Sequence, residues 1–183
     1  MRKELKKTYK DLTPLAFFIK AASLAMIEYP IVNSTVGKEL DSEGLIKEYT
    51  IRGEHNFSIA IDSKDGLTVP NIKQVQQKSI FEINTELKNL QEKAATGKLS
   101  KADFSDATFS ISSVGNIGGT GFVPTILPPQ TAIMAIGKAR KMPKYVEDPT
   151  KPEGFRWDPA EIMNISFSAD HRILDGATVL KWC

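Results

Sequence analysis

The amino-acid sequence predicts an α/β (α+β) domain with a largely β centre. Several short segments, apolar or alternating and bounded by glycine, proline or charged residues, have the pattern of β-strands. Two longer segments, at 13–29 and 79–97, instead repeat apolar residues at helical spacing. The 183 residues contain no internal repeat and no low-complexity linker, so we expect one domain.

The first helix is predicted to begin at Thr13 and Pro14 and to end before Pro30. Thr13 is expected to cap the helix through its hydroxyl, and proline suits the first helical position. Apolar residues then recur at helical spacing: Leu15, Phe18, Ile19, Ala22 and Met26.

Short strands are predicted between the two helices. They are "IVNSTV" at 31–36, "GLIKEYTI" at 44–51 and "NFSIAIDS" at 56–63. The second alternates apolar and polar residues, so we expect it to be half-buried. Asp65-Gly66 predicts a turn before "LTVPNI" at 67–72.

A capping-box pattern, Ser79-x-x-Glu82, predicts the start of the second helix, which we expect to end near Gly97. The strands predicted after it are "ATFSISSV" at 107–114, "TAIMAIG" at 131–137 and "EIMNISFSA" at 161–169. The segment "KPEGF" at 151–155 predicts a surface turn, and Asp175 is expected to cap a final helix.

The glycine-rich segment "GNIGGTG" at 115–121 does not have the pattern of a phosphate-binding loop. No Gly-Lys-Ser/Thr follows it, and its spacing is not G-x-G-x-x-G, so we interpret it as a tight turn. The strand before it carries hydroxyls at Ser110, Ser112 and Ser113. Ser110 and Ser112 would share one face of that strand, and a hydroxyl at its end could donate to an oxyanion.

Composition excludes several classes of function. A net charge of +2 with scattered basic residues argues against a nucleic-acid interface. No run approaches the ~18 apolar residues of a membrane span, and the first residues lack the apolar stretch of a secretory signal. The lone cysteine, Cys183, allows no intrachain disulfide and suits a reducing compartment.

The segment "SADHRILDGAT" at 168–178 places His171 between Asp170 and Arg172, with Asp175 four residues on. A neutral imidazole in such surroundings could remove a proton from a thiol or hydroxyl. The alternative is a hydrogen-bonded structural histidine, which is how we interpret His55. His171 and Asp175 are too few to hold a metal, and His55 and Cys183 are the remaining soft or nitrogen candidates, so we predict no metal site.

Five segments, in order, resemble the dihydrolipoamide acyltransferases, the core components of 2-oxo acid dehydrogenase complexes. They are "FFIKAASLAMIEYPIVNSTV", "HNFSIAIDSKDGLTVPNI", "SIFEINTELKNLQ", "ATFSISSVGNIGGTGFVPTILPPQTAIMAIG" and "EIMNISFSADHRILDGAT". Two strings, "IMNISFSADHR" and "HNFSIAIDSKDGLTVPN", are most similar to the branched-chain member. Chloramphenicol acetyltransferase shares the H-x-x-x-D-G element.

The resemblance implies roles for individual residues. His171 would be the general base, Ser112 would hydrogen-bond the oxyanion, and Asp175 would orient the histidine through an ion pair. The function implied is transfer of an acyl group, of branched-chain type, between a dihydrolipoyl thiol and coenzyme A. The resemblance also implies coenzyme A contacts at Arg2, Thr13, Asp62, Gln91, Ser112, Gly137 and Ala139.

The implied fold is a sheet-and-helix sandwich like that of chloramphenicol acetyltransferase. The implied assembly is a homotrimer, with His171 and Ser112 contributed by neighbouring protomers, built into a cubic or dodecahedral core. Residues 1–183 would be a catalytic domain lacking its N-terminal and C-terminal edges, with no lipoyl or peripheral-subunit-binding domain.

The lipoyl group would come from a separate domain. Further partners would be the 2-oxo acid decarboxylase and dihydrolipoyl dehydrogenase components. The compartment would be the mitochondrial matrix in a eukaryote or the cytoplasm in a bacterium. Two alternatives remain open: an inactive structural core of the same fold, and a standalone coenzyme A-dependent acetyltransferase for a small molecule.

Overall fold

The computed structural model describes residues 5, 11–63, 66–115 and 117–183. The predicted Arg2 contact and Asp65 of the predicted turn lie outside these residues. The helices are α1 (Pro14–Glu28), α2 (Ile80–Thr96) and α3 (Gly176–Trp182), with single 3-10 turns at Pro30–Val32, Val75–Gln77 and Lys101–Asp103. Within the described ranges, no helix has the length and apolar character that crossing a membrane requires.

The strands follow the chain as β1 (Ser34–Val36), β2 (Tyr49–Ile51), β3 (Phe57–Ile59), β4 (Ile61–Ser63), β5 (Gly66–Thr68), β6 (Asn71–Ile72), β7 (Phe109–Ser113), β8 (Ala132–Ile136), β9 (Arg140–Glu147), β10 (Phe155–Ile162) and β11 (Ile165–Ala169). A five-stranded sheet in the order β11-β8-β7-β3-β6 forms the centre. Its three inner strands run parallel, and the two edge strands β11 and β6 are antiparallel to their neighbours.

One face of the central sheet packs against the helices. Ile111, Met134 and Phe167 lie opposite one another on β7, β8 and β11, and they join a core that includes residues of α1, α2 and α3. Phe167 meets the ring of Trp182 on α3 edge-on at 5.2 Å. The row one residue further along, Ser112, Ala135 and Ser166, faces the other side of the sheet, because side chains alternate along a strand.

Both long helices begin where the sequence predicts, but α1 is capped differently. Thr13 is the N-cap residue of α1, yet its side chain makes no capping bond. Its amide and hydroxyl instead donate to Oδ1 of Asn84 on α2, at 2.9 and 3.0 Å. Helix α2 has the predicted capping box at Ser79 and Glu82 and ends at Gly97, which adopts the left-handed conformation.

Several predicted strands are shorter or divided. The segment 31–36 begins with a 3-10 turn and continues as β1. The segment 44–51 was expected to be half-buried, but only β2 is a strand, and all three of its residues are exposed because it pairs with β1 outside the central sheet. The segment 56–63 divides into β3, which stays in the central sheet, and β4, which forms a separate hairpin with β5.

The apolar and alternating segments of the sequence did not predict the long hairpin of β9 and β10. The two strands pair along eight residues each, and Pro143 lies opposite Pro159. Two prolines and many charged residues conceal the alternation that identifies a strand. The segment 161–169 consequently contains the end of β10 as well as β11.

Candidate active site

His171 lies in the turn that joins β11 to α3, and its side chain is exposed. The amide of Asp170 donates to the carbonyl of Thr131 at 2.8 Å, which fixes the start of this turn to the strand neighbouring β11. The amides of Ile173 and Leu174 donate back to the Asp170 carbonyl, and the Leu174 side chain is buried. The turn is therefore anchored on both sides of the histidine.

The charged neighbours of His171 bind each other rather than the imidazole. Nε and Nη2 of Arg172 donate to the two carboxylate oxygens of Asp170 at 2.9 and 2.6 Å. These hydrogen bonds from Arg172 hold the pKa of the Asp170 carboxyl below its usual range. Asp170 and Arg172 therefore form an ion pair that fixes the turn. Within the described ranges, no hydrogen bond reaches the His171 ring.

Asp175 caps α3, as predicted. Its Oδ1 accepts a hydrogen bond from the Thr178 amide at 2.6 Å. The backbone and side chain of Thr178 lower the pKa of the Asp175 carboxyl, and the charges of His171 and Lys181 lower it further. The carboxylate is therefore ionised at neutral pH and close enough to His171 for an electrostatic interaction.

Ser112 lies near the end of β7, and its side chain is half-buried. Its strand neighbour Ser110 has the same orientation and donates to Oε1 of Gln130 at 2.6 Å. The Ser112 hydroxyl makes no hydrogen bond to any residue in the described part of the chain. Ser110 therefore has a structural hydrogen-bond partner, whereas the Ser112 hydroxyl is available to a ligand.

His171 and Ser112 do not meet within one chain. Ser112 lies opposite Ala135, which in turn lies opposite Ser166 on β11. From Ser166, β11 runs three residues to Ala169, a distance of about 10 Å, and the His171 turn lies beyond it. The two predicted catalytic side chains therefore lie toward opposite ends of the sheet.

Two predicted coenzyme A contacts, Asp62 and Gln91, lie close along the chain to residues that line one cavity, but neither lines it. Asp62 is exposed on β4, next to Ser63, and Gln91 is exposed on α2, one turn before Ala94. Ser63 and Ala94 line a cavity of about 310 Å³ between the β4–β5 hairpin and the end of α2. Thr13 is connected to the same helix through Asn84.

The remaining predicted contacts, Gly137 and Ala139, follow β8 at the end of the sheet where Ser112 lies. Gly137 is buried and Ala139 is exposed. Among the described residues, no group of three or more His, Cys, Asp or Glu side chains is arranged to hold a metal ion.

The sequence pattern does not reveal the polar residues that hold the segment 117–130, here called the covering loop, on the sheet face that carries Ser112. Asn164 donates from Nδ2 to the carbonyl of Thr120 at 2.9 Å. Ser168 donates from Oγ to the carbonyl of Pro124 at 2.5 Å. The only sequence signal for Asn164 is a polar residue inside the apolar run "IMNI", which does not reveal its partner.

The chain has the fold of the chloramphenicol acetyltransferase class. A solved chloramphenicol acetyltransferase structure aligns over 98% of this chain and 78% of its own, with a TM-score of 0.58 and 14% identity. At that identity the likeness concerns the fold alone, and it confirms the predicted sheet-and-helix sandwich.

The family-level match is more specific. The family model described as "2-oxoacid dehydrogenases acyltransferase (catalytic domain)" matches residues 1–183. The chain therefore belongs to this family. The probable dihydrolipoamide acetyltransferase of Listeria monocytogenes has a solved structure that is 36% identical, with a TM-score of 0.84, over 98% of this chain and 70% of its own.

Among curated proteins, the chain is similar to the mitochondrial lipoamide acyltransferase component of the branched-chain alpha-keto acid dehydrogenase complex from Bos taurus. The two are 43% identical over 98% of this chain. The chain spans 37% of the bovine protein's length. A solved structure of the cubic core of the pyruvate dehydrogenase multienzyme complex is also similar, at 32% identity and a TM-score of 0.84, over 99% of this chain and 71% of its own.

Proposed function

We propose that the chain transfers an acyl group between a dihydrolipoyl thiol and coenzyme A, at sites formed between protomers of a homotrimer. The observation that carries the proposal is the placement of His171 and Ser112. The imidazole is exposed on an anchored turn, and the unoccupied hydroxyl lies toward the other end of the sheet. Neighbouring copies of the chain would bring the two together.

His171 acts as the general base. Its ring accepts the proton of the attacking thiol as the sulfur forms a bond to the thioester carbonyl carbon, and the carbonyl electrons move to oxygen. The tetrahedral intermediate then expels the second sulfur as a thiolate, which takes the proton back from the imidazolium. Proton transfer of this kind contributes about 10²–10⁴-fold to the rate.

Ser112 of the neighbouring protomer donates its hydroxyl to the oxyanion. Removing one such donor typically costs about 10²–10³ in rate. Asp175 acts through His171: its ionised carboxylate, held in place by the Thr178 amide, stabilises the imidazolium. Asp175 orients the base electrostatically and is not a proton carrier.

Coenzyme A binds beside Gln91 of α2 and at the end of β8. The cavity lined by Ser63 and Thr68 offers polar groups to its nucleotide or pantetheine portion, and Asp62 and Gln91 contribute from the exposed surface nearby. Gly137 and Ala139 contribute through their backbone and their small size at the end of the sheet nearest Ser112. Thr13 and Arg2 complete the proposed set.

The acyl group is of branched-chain type, because the branched-chain lipoamide acyltransferase of Bos taurus is 43% identical to this chain. The lipoyl group comes from a separate domain, and the chain forms the core of a 2-oxo acid dehydrogenase complex with decarboxylase and dihydrolipoyl dehydrogenase components. The similarity to a cubic core structure supports self-association. The mitochondrial relative supports the matrix as the compartment in a eukaryote.

The test is transfer of an isobutyryl group from coenzyme A to dihydrolipoamide by the wild type and by His171→Ala and His171→Asn. We expect kcat to fall by about 10²–10⁴-fold in both variants, because both lack the base. Asn89→Ala, on the exposed side of α2, is the matched control and should keep the wild-type rate. Equal rates in wild type and His171→Ala would contradict the base assignment. A wild-type trimer without turnover on acetyl-, succinyl- or isobutyryl-coenzyme A would favour a structural core.

A further inference from the structure

We propose that Asn164 is a positioning residue that clamps the covering loop against the sheet and so fixes the wall of the acyl-transfer site beside Ser112. The catalytic part of this inference rests on the function proposed above. The clamp itself rests on hydrogen bonds and on the burial of Ile133 and Ala135 beneath the loop.

Burial shows that the covering loop lies on the sheet. Ile133 and Ala135 of β8 belong to the rows of Ser110 and Ser112, which face away from the helices. Their relative exposures are nevertheless only 5% and 1%. Something must therefore cover this face, and the hydrogen bonds of the covering loop identify it as the cover.

Hydrogen bonds hold the covering loop to the rest of the molecule at its two ends and its middle. The Lys138 amide donates to the Gly119 carbonyl at 2.7 Å, and Asn164 Nδ2 donates to the Thr120 carbonyl at 2.9 Å. Further along, Ser168 donates to the Pro124 carbonyl at 2.5 Å. The last bond joins the hydroxyl of Ser110 to the side chain of Gln130 at 2.6 Å.

Asn164 connects three parts of the molecule. Its side chain binds the covering loop at Thr120, while its carbonyl accepts a hydrogen bond from the Gly137 amide at 3.0 Å, just after β8. The fit at this point is tight, because a Cβ added to Gly137 would lie 2.8 Å from the Thr120 carbonyl oxygen. The loop, the end of β8 and the start of β11 are therefore linked through the backbone and side chain of Asn164.

The clamped part of the loop is close in sequence to the proposed oxyanion donor. Thr120 follows Ser112 by eight residues, and the amide of Val114 donates to the Ile136 carbonyl at 3.3 Å, which ties the intervening turn to β8. If the loop lost its hydrogen bond at Thr120, the part of the site wall beside Ser112 would become mobile. Small displacements of a positioned group cost up to about 10²-fold in rate.

The experiment compares Asn164→Ala and Asn164→Asp with the wild type, and Asn89→Ala again serves as the control. Asn164→Asp keeps the shape of the side chain but removes the donor to Thr120. We expect amide hydrogen exchange in residues 117–124 to become about fivefold faster in both variants, since one hydrogen bond is lost. We expect kcat for acyl transfer to fall about tenfold with KM nearly unchanged, because the Ser112 interaction exists only in the transition state.

Unchanged exchange in residues 117–124 of Asn164→Asp would overturn the clamp. Faster exchange with wild-type kcat would overturn the positioning role in catalysis. A wild-type protein without turnover would overturn the proposed function, while faster exchange in the variants would still support the clamp, so the two failures are distinguishable. A general fall in Tm with faster exchange throughout the chain would also count against a local clamp.

Discussion

At the scale of single residues, the charged groups around His171 divide into two roles. Asp170 and Arg172 form an ion pair that stiffens the turn, while Asp175 caps α3 and remains electrostatically coupled to the imidazole. The sequence motif predicted that Asp175 caps a helix, and the structure confirms it. The motif could not predict that Asp170 and Arg172 form an ion pair with each other, because this pairing depends on side-chain geometry within the turn.

The other histidine, His55, is buried, in agreement with its structural interpretation. Its Nδ1 is 2.8 Å from the hydroxyl of Ser23 on α1, and its amide donates to Oε1 of Gln76 at 3.0 Å. Burial lowers the pKa of the His55 ring, and the nearby charge of Lys20 lowers it further. The folded protein therefore holds this imidazole neutral.

A pH dependence of stability follows from His55. Because its folded-state pKa lies below the unfolded value of about 6.5, the unfolded chain binds the extra proton first as pH falls. Stability is thus full above about pH 6.5 and declines below it, until the folded-state pKa is reached. Urea unfolding of wild type and His55→Gln between about pH 7.5 and about pH 5.5 should show a steeper decline for the wild type. Parallel curves would contradict a neutral buried His55.

At the scale of secondary structure, the sequence predicted elements well where one periodic signal dominates. The capping box and the C-terminal glycine define α2, an alternating segment defines β7, and a continuous apolar run defines β8. The sequence predictions were wrong where the pairing between strands determines whether a segment is buried or forms a strand. The strand β2 has alternating residues but is exposed, and the β9–β10 hairpin is a strand pair despite facing prolines.

The contact between Gly137 and the covering loop provides a test at this scale. In Gly137→Ala, the new Cβ would meet the Thr120 carbonyl oxygen at 2.8 Å, so the loop or the end of β8 must shift. We expect a loss of about 1–3 kcal/mol in the free energy of unfolding, as for other overpacked sites. Gly53→Ala is the matched control, because a Cβ there meets nothing within 4 Å. Chemical denaturation measures both, and equal stability of the two variants would contradict the tight contact.

At the scale of the whole molecule, the family and fold could be predicted from the sequence, and the fold places the predicted residues in an informative way. The antiparallel edge strand β11 carries the His171 turn to one end of the sheet, while the parallel strand β7 carries Ser112 toward the other. Spacing along the chain cannot reveal this separation, because it depends on strand order and direction. The separation is what a site shared between protomers requires.

The most direct test of the shared site is activity in mixed trimers of His171→Ala and Ser112→Ala. Each variant alone removes one half of every site. In trimers assembled at random from equal amounts of both, about one quarter of the interfaces pair an intact His171 with an intact Ser112. We therefore predict that co-assembly restores about one quarter of the wild-type rate of acyl transfer, whereas separately assembled trimers mixed afterwards gain nothing. A co-assembled sample no more active than the average of the two variants would contradict a site shared between protomers.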